Sequence, residues 1–342
     1  MRREDALREF EAKADAMLTA QEAMFWERLF VRKSQVAARL RESLARLARK
    51  AAARKKDCRY IYCSLLRVDL LNSRYITLLQ AVGEEYALDP EPVEEQLDLG
   101  DFFDELEAVR VELVQSLPRY RGKVNPSDVQ NLTAARAMEW FRKIGFLLRF
   151  VLRDQENQEE ILRLIPAEFP RILRWGEYRD RGETIFFYQE KPDREGRLGA
   201  LLRQSYSYPY ILQNQYLRLG EYEKMNLKER RMEYITFEGC SFRDVSFEAA
   251  SLWGARFLEC RFCGCSFRQA NLAMACFENC RFGDADWTEA EFGNTLFLPE
   301  PPPGVSEEQK SKILVKEEQY NAAVFLCGAG QEDPGHHPSG GI

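Results

Sequence analysis

A five-residue spacing of large apolar residues dominates the chain from Ile235 to Phe297. Every fifth position there is large and apolar: Phe237, Phe242, Phe247, Leu252, Phe257, Phe262, Phe267, Leu272, Phe277, Phe282, Trp287, Phe292 and Phe297. Two places before each stands a smaller or slimmer residue: Ile235, Cys240, Val245, Ala250, Ala255, Cys260, Cys265, Ala270, Ala275, Cys280, Ala285, Ala290 and Thr295. The thirteen units keep one register, so this segment is an internal repeat.

A period of five fits neither the 3.6-residue period of a helix nor the two-residue period of a strand. It fits a polygonal coil in which each unit forms one side. The large residue and the small residue two before it then point inward, as alternate residues of a strand do, and the other three face solvent. The step between units is a turn, which suits the Gly, Asn, Asp and Ser at outward positions.

The units resemble those of the pentapeptide-repeat family, which read roughly Ala-(Asp or Asn)-Leu followed by two variable residues. The segment 270–274 matches this pattern at every specified position, and 285–289 matches it with Trp287 as the central residue. The resemblance covers about a fifth of the chain. It implies a right-handed, four-sided β-helix with twenty residues in each turn, and it says little about activity.

If four units make a turn, residues twenty apart stack about 4.8 Å from one another. Like residues do fall on like positions, as in the columns Phe237, Phe257, Phe277 and Phe297; Phe242, Phe262 and Phe282; and Cys240, Cys260 and Cys280. The repeat predicts a domain over 231–299 with just over three turns. Its open ends need caps, because the end turns expose core and strand edges.

Residues 1–57 predict a first domain made of helix, because good helix formers dominate from residue 4 to about 55 and neither Pro nor Gly interrupts them. One long helix fits, and so do two antiparallel helices with a turn near Arg32 to Gln35. Ten Lys or Arg residues stand against two acids between Arg32 and Asp57. Such a basic helix could bind an anionic membrane or nucleic acid. The alternative is a packed bundle helix whose charge is offset by acids elsewhere.

Residues 58–230 predict a mixed α/β domain. β-Forming residues over 60–68 and 75–79, separated by Asn72-Ser73, predict a β-hairpin. The sequence Asn125-Pro126-Ser127-Asp128 is typical of a helix start. The remaining expectations are an acidic helix over about 92–117, helices over about 125–152 and 158–164, a strand over 184–188 that extends the hairpin sheet, and a polar loop over 191–199.

Both flanks of the repeat leave alternatives open. Tyr206, Tyr208, Tyr210 and Tyr216 precede it and either cap the coil or form an exposed contact surface. Residues 300–327 predict a Pro-rich linker and one short helix, opened by Ser306 and Gln309 at capping-box spacing. That helix either folds back on the last turn or docks on a partner. Residues 328–342 predict a disordered tail.

Composition removes several classes of function. The net charge of −6 argues against a general affinity for nucleic acid. No apolar run is long enough to span a membrane, and the N-terminus lacks a signal-peptide pattern, so we expect a cytoplasmic protein. The two histidines, His336 and His337, lie in the tail. The folded parts therefore offer no histidine for acid–base catalysis or for a catalytic triad.

The cysteines suggest a metal site at one place. Cys260, Cys263 and Cys265 have a spacing that can bind metal. The repeat argues against this, because Cys263 should face outward while the other two face inward. Buried free cysteines behave as small apolar residues, and a reducing compartment keeps them free. We therefore expect neither a metal nor a cofactor.

The sequence as a whole predicts an α+β, multidomain protein: a mostly helical N-terminal region with a small sheet, then a β-helix. The preferred function is a non-catalytic interaction or scaffold module with a protein partner. One alternative comes from the resemblance, since some pentapeptide-repeat relatives mimic DNA and act on type II topoisomerases; here the repeat holds five arginines and nine acids. The other is an enzyme in the N-terminal half, although no phosphate-binding loop, nucleophile elbow or metal-ligand cluster is present.

Outward charges on the repeat are the candidate contact residues. They are four arginines in its middle and four acids near its end: Arg256, Arg261, Arg268, Arg281, Asp284, Asp286, Glu289 and Glu291. A homodimer through a coil end or a helix also fits the sequence.

Overall fold

The computed structural model describes residues 2–56, 58–83, 89–165, 170–179, 182–193 and 196–330. A break between Phe186 and Phe187 divides the chain into two compact units. The elements of the first unit, the last of which runs two residues past the break, are α1 (Arg3–Val31), α2 (Lys33–Ala53), β1 (Tyr60–Leu65), α3 (Arg67–Leu71), β2 (Ile76–Val82), β3 (Val93–Asp98), α4 (Asp104–Ser116), α5 (Pro126–Val151), α6 (Gln155–Leu164), β4 (Arg171–Glu177) and β5 (Glu183–Tyr188). Within the described ranges, no helix combines the length and apolarity that a bilayer crossing requires.

The sheet of the first unit has the strand order β3-β2-β1-β4-β5. β1 and β2 pair antiparallel, as predicted, but β1 ends at Leu65, and residues 67 and 68, which were expected in the strand, belong to α3. β5 extends the same sheet, as predicted, but it does so through β4, a strand that the sequence analysis missed. β4 lies parallel to β1. Buried and partly exposed residues alternate along β4, but the sequence does not show this pattern. The charged Arg171 is buried, whereas the apolar Ile172 is only partly buried.

The acidic helix expected over 92–117 is wrong in its first half. β3 occupies Val93–Asp98 and pairs antiparallel with β2, and α4 begins only at Asp104. Val93 and Leu97 are the buried residues of β3. Their spacing of four fits one side of a helix as well as one side of a strand. The segment forms a strand because it pairs with the free edge of β2.

α1, α2, α5 and α6 begin and end close to the predicted positions. α1 and α2 are separated at Arg32, where the two-helix alternative places its turn. α1 packs chiefly against α4 and α5, whereas α2 packs chiefly against β3. At the start of α5, Asn125 Oδ1 accepts hydrogen bonds from the N–H groups of Ser127 (3.0 Å) and Asp128 (3.2 Å), at the predicted helix start.

α5 approaches the sheet closely at one glycine. A Cβ atom at Gly145 would lie 2.5 Å from Cδ1 of Trp175 on β4. The Trp175 ring stacks on Phe141 of α5 at 4.3 Å between centroids, and its Nε1 donates to the Phe141 carbonyl at 2.8 Å. Gly145 therefore lowers the helix propensity of this segment but allows the helix to approach the sheet closely.

The second unit contains a β-solenoid of about five turns over residues 216–314. Its elements are α7 (Arg197–Gln204), β6 (Tyr216–Arg218), β7 (Glu221–Glu223), β8 (Thr236–Glu238), β9 (Ser241–Arg243), β10 (Arg256–Leu258), β11 (Arg261–Cys263), β12 (Cys276–Glu278), β13 (Arg281–Gly283), β14 (Thr295–Leu298), α8 (Glu307–Lys310), β15 (Ile313–Leu314) and α9 (Glu317–Gly330).

The solenoid has four sides. One is the sheet β15-β14-β12-β10-β8-β6 and the next is the sheet β13-β11-β9-β7. Two further sides are held by single bridges, one through Ser246 and Ser266 and the other through Ser251 and Asn271. Across the repeat, each ladder joins residues twenty apart, which confirms the predicted turn length.

The inner aromatic rings stack directly from turn to turn. The Phe257 ring lies 5.4 Å from that of Phe237 and 4.6 Å from that of Phe277, at interplanar angles of 12° and 5°. Phe262 lies 4.9 Å from Phe242 and 5.2 Å from Phe282. The small residues two before each ring complete this core.

The corners between sides use left-handed backbone. Every fifth residue from Leu219 to Asn294 has a positive φ, including bulky ones such as Glu259 (52°) and Met274 (58°). Gly, Asn, Asp and Ser are the residues that the repeat pattern predicts at the turns. Other residues are tolerated because the corner N–H groups from Leu219 to Asn279 donate to the next turn, as Glu259 does to the Glu278 carbonyl at 2.8 Å. These bonds offset a strain of about 1–3 kcal/mol per residue.

The solenoid is longer than the predicted three turns. Upstream of the repeat, Leu217, Tyr222, Leu227 and Met232 keep the five-residue spacing and are buried. These turns are hard to recognise in the sequence because the positions two before the apolar residues are not uniformly small: Gln215, Gly220, Met225 and Arg230.

The single C-terminal helix expected up to residue 327 is also wrong. The capping box of Ser306 and Gln309 is present, but it opens α8, which is only four residues long. β15 then pairs parallel with β14, and Tyr320 of α9 donates its hydroxyl to the Met274 carbonyl at 2.6 Å. The segment therefore folds back on the solenoid. The disordered tail expected from residue 328 is wrong for its first three residues, because α9 continues to Gly330. Residues 331–342, the rest of that tail, lie outside the described residues.

Replacement of Phe262 tests the stacked core. Phe262 is 2% exposed and has a ring above and below it. Phe262→Ala should lower the free energy of unfolding of the solenoid by about 3–5 kcal/mol, because it removes buried area and leaves a cavity. Urea unfolding followed by circular dichroism measures this loss. The exposed neighbour provides the control: Arg261→Ala should change stability by about 0.5 kcal/mol or less. Equal effects of the two variants would contradict the assigned register.

Candidate interaction surfaces

One side of the solenoid carries three unpaired arginines. Arg243, Arg261 and Arg281 project outward from β9, β11 and β13 and are exposed. Arg261 lies in register with Arg281, and Arg243 lies in register with Cys263, two residues farther along the same strand as Arg261. None of the three forms an ion pair with any described residue. We call these three residues the arginine face.

The predicted arginines are not all on this side. Arg256 lies on the neighbouring sheet, where it pairs with Glu278 at 3.3 Å. Arg268 lies by the bridge of Ser266 and Asp286, beside Asp286. Hydrogen bonds from Thr288 lower the pKa of Asp286, and the charge of Arg268 adds to this effect. Only Arg261 and Arg281 of the predicted four are therefore adjacent.

Sequence reasoning missed Arg243 as a member of this group. It was counted in the repeat, but it was not placed on a side. The available signal is that both residues flanking an inner phenylalanine point outward. Positions 241 and 243 thus share a side with 261 and 281.

The predicted acids form a band and not a patch. Asp284 and Glu289 occupy successive corners of the fourth turn, and Asp286 and Glu291 occupy the two bridged sides. All four are exposed. Glu289 accepts a hydrogen bond from Gln269 Nε2 at 2.6 Å. The charges are thus spread around one end of the repeat.

The N-terminal end of the solenoid is capped by α7 and not by the three outer tyrosines. Leu198 and Leu212 are buried in the solenoid core. Asp193 accepts hydrogen bonds from the N–H of Arg197 (2.7 Å) and the N–H of Leu198 (3.2 Å), and so caps α7. Its carboxylate also accepts the hydroxyl of Tyr222 at 2.7 Å, and burial is the main cause that raises the pKa of Tyr222.

Three of the four flanking tyrosines remain on the surface. Tyr206, Tyr208 and Tyr210 are 71%, 67% and 44% exposed, whereas Tyr216 is buried in β6. Arg230 lies 4.0 Å from the ring centre of Tyr206, and Arg231 lies 4.8 Å from that of Tyr210. The cap interpretation is therefore wrong for these three. That they form a contact surface stays a prediction.

The cysteines follow the predicted alternation. Cys260 and Cys265 are buried, whereas Cys263 is exposed. Burial is the main cause that raises the pKa of Cys260. Within the described residues, no group of three His, Cys, Asp or Glu side chains is placed to hold a metal ion.

Comparison with known proteins identifies the repeat segment of the solenoid. A family profile described as a pentapeptide repeat region matches residues 230–299. The ladders, inner columns and corners of this segment keep the five-residue repeat throughout. Residues 230–299 are a pentapeptide-repeat region. No curated protein matches the chain.

Three solved structures are similar to part of the chain. A pentapeptide repeat protein from the Arabidopsis thaliana thylakoid lumen is 14% identical over 30% of this chain and 75% of that chain, with a TM-score of 0.17. One from Nostoc PCC 7120 is 14% identical over 35% and 95%, with a TM-score of 0.23. QnrB1, a plasmid-mediated fluoroquinolone resistance protein, is 15% identical over 25% and 66%, with a TM-score of 0.18.

Outside the pentapeptide-repeat region, the basic helix α2 is largely neutralised. Arg39 of α2 and Arg32, directly before the helix, both pair with Asp101. Arg46 and Lys50 pair with Glu95 at 3.2 and 2.7 Å. The acids come from β3 and from the turn before α4, far away in sequence. This supports the alternative in which the basic residues of α2 pair within the fold.

The groove beside α2 has no catalytic arrangement among its described residues. It has a volume of about 430 Å³, and its lining includes Arg39, Arg46, Leu97 and Asp101. Arg39 donates to the Asp101 carboxylate at 2.9 Å, and Arg46 donates to the Gln96 carbonyl at 3.3 Å. These charged groups are engaged in structural pairs.

The pairing of Asp101 predicts an acid-sensitive contribution to stability. Hydrogen bonds from Arg39 and then Arg32 lower the pKa of Asp101 to about 2. An unfolded Asp titrates near 3.9. The folded state therefore binds the proton more weakly, so the stabilisation is complete above about pH 4 and is lost as the pH falls toward 2.

Asp101→Asn tests this contribution in the full chain. The variant should be less stable than the wild type at pH 7, and the difference should shrink between pH 4 and pH 2. Urea unfolding at a series of pH values measures it. A difference that does not change with pH would show that the Asp101 carboxylate has no such role.

Proposed function

We propose that the protein is a non-catalytic interaction module whose solenoid binds a protein partner through the arginine face. The observation that supports this is the contrast among the arginines of the solenoid. Arg218, Arg231 and Arg256 each pair with a glutamate of the solenoid, at 3.1, 3.1 and 3.3 Å. Arg243, Arg261 and Arg281 have no acid partner among the described residues, and they share one side.

The solenoid holds these three arginines at fixed positions. Each follows or precedes a phenylalanine that is packed in a ring stack, so the backbone beneath each guanidinium group is rigid. A partner would not have to order this backbone, which lowers the entropic cost of binding. Arginine is also enriched at protein interfaces, where its planar group forms paired hydrogen bonds with carboxylates.

The two alternative functions receive less support. A DNA mimic needs an acidic rod, but here three successive turns of one side carry arginines that have no acid partner among the described residues, and the four acids at the end of the repeat form a band. An enzyme needs a group of reactive side chains around a cavity, whereas Arg39, Arg46 and Asp101, which line the groove of the first unit, are engaged in ion pairs within the fold. A cytoplasmic location is part of the proposal. The nine cysteines are free, as a reducing compartment would keep them.

Cross-linking in the native host tests the proposed function. The full-length protein, the variant Arg243→Ala/Arg261→Ala/Arg281→Ala and a matched control are each treated with a cell-permeable cross-linker, and their cross-linked partners are quantified. The control, Arg8→Ala/Arg49→Ala/Arg142→Ala, removes the same charge from exposed helix positions of the first unit.

We expect the arginine-face variant to lose about tenfold of its cross-linked partner, while the control keeps it. All three proteins should melt at the same temperature within a few degrees, because exposed substitutions rarely affect stability. Equal capture by all three proteins would contradict the proposal.

A further inference from the structure

We infer that the arginine face binds an acidic α-helix laid along the solenoid axis. This inference rests on the proposed function and names the chemistry of the partner. Its basis is the spacing of the three arginines, which lie on successive turns, one on each of β9, β11 and β13. Neighbouring parallel strands are about 4.8 Å apart, so the arginines lie at roughly 0, 4.8 and 9.6 Å along the axis.

An α-helix places carboxylates at matching intervals. Its rise of about 1.5 Å per residue puts positions i, i+3 and i+7 at about 0, 4.5 and 10.5 Å, on one stripe of its surface. An extended segment matches less well. Its alternate side chains are about 6.7 Å apart, so its third carboxylate would lie about 4 Å beyond the third arginine. Arg243 is offset sideways by two residues, about 6.6 Å, which an arginine side chain can span.

Acidic residues on the solenoid limit the area that an acidic helix can cover. Glu221 and Glu223 occupy the same side on the first turn and would repel an acidic helix that extended there. Asp244, Glu259 and Asp284 occupy the corners beside the arginine face. An acidic partner is therefore attracted to the second, third and fourth turns and is repelled around them.

The same acids disfavour nucleic acid as the occupant. A phosphate chain extends its charge in both directions and would meet the glutamates of the first turn and the acids of both corners. Three arginines would also release few counterions, which are the main source of nucleic-acid affinity. No large apolar side chain occupies the outward positions of β7, β9, β11 and β13, so this side has nothing to insert into a membrane.

A second copy of the chain is also disfavoured. The side is four strands wide with three residues in each strand, which is roughly 200 Å² of flat surface. A stable dimer buries about 800 Å² on each partner. Antiparallel pairing of two such sides would also place Arg243 against Arg261 when Glu221 meets Arg281. A narrow acidic helix uses the available area and avoids this repulsion.

Peptide binding to the full-length protein tests the inference. The probe is a fluorescent alanine- and glutamine-based helical peptide of about twenty residues with Glu at i, i+3 and i+7. An isomer of identical composition carries the three Glu at i, i+2 and i+5, which spreads them around the helix. Anisotropy titrations at low salt compare the two peptides on the wild type, on the arginine-face variant and on the matched control.

We expect the striped peptide to bind the wild type at least fivefold more tightly than its isomer. The arginine-face variant should bind the striped peptide about tenfold more weakly, in line with three exposed ion pairs. The control should bind like the wild type, and 0.5 M salt should abolish the difference between the peptides. Equal binding of the two isomers, or tighter binding of a single-stranded oligonucleotide of equal charge, would overturn the inference.

The two experiments separate the two proposals. If the striped peptide fails while cross-linked capture still depends on the three arginines, the interaction function stands and the acidic helix is wrong. If capture is also independent of the arginines, both proposals fail.

Discussion

Stacking of inner side chains across a twenty-residue interval is the interaction on which the second unit depends. A single five-residue unit cannot enclose a core, so each ring needs the rings of the turns above and below it. The Phe257 ring has both, at 5.4 and 4.6 Å. Only the end turns lack a neighbour on one side. At one end α7 supplies Leu198; at the other, Gln309 donates to the carbonyls of Trp287 (2.8 Å) and Ala290 (3.0 Å).

The same constraint organises the outer surface. Because the inner residues fix the backbone, outward residues repeat at the strand spacing along the axis, and charge can be placed on one side without disturbing the core. Arg261 and Arg281 are neighbours for this reason. In the first unit arginines have the opposite role, as Arg32 and Arg39 show by pairing with Asp101. The arginine face differs, because Arg243, Arg261 and Arg281 form no ion pair with any described residue and face solvent.

The sequence predicts the inner columns well because the core admits only large apolar rings at one position and small residues two before it. Prediction fails at positions where the core does not require residues of these sizes. Arg230 stands at a position that is alanine in the next three turns, and it fits because the end turn lets its side chain reach the Tyr206 ring. Outside the repeat, β3 is ambiguous because its two buried residues are four apart. The partners of α2 could not be read from the sequence, because Asp101 and Glu95 are about fifty residues or more away from it.

Thiol labelling of the native protein tests the register most directly. Cys263 and Cys265 are two residues apart, but Cys263 faces outward beside the arginine face, whereas Cys265 is buried in the core. A small charged disulfide reagent should label Cys263 rapidly under native conditions, and Cys263→Ser should abolish this fast phase. Cys265 should react only at the rate of unfolding, as identified by mass spectrometry of the labelled peptides. Labelling of Cys265 as fast as that of Cys263 would contradict the register, and with it the placement of every outward residue on the solenoid.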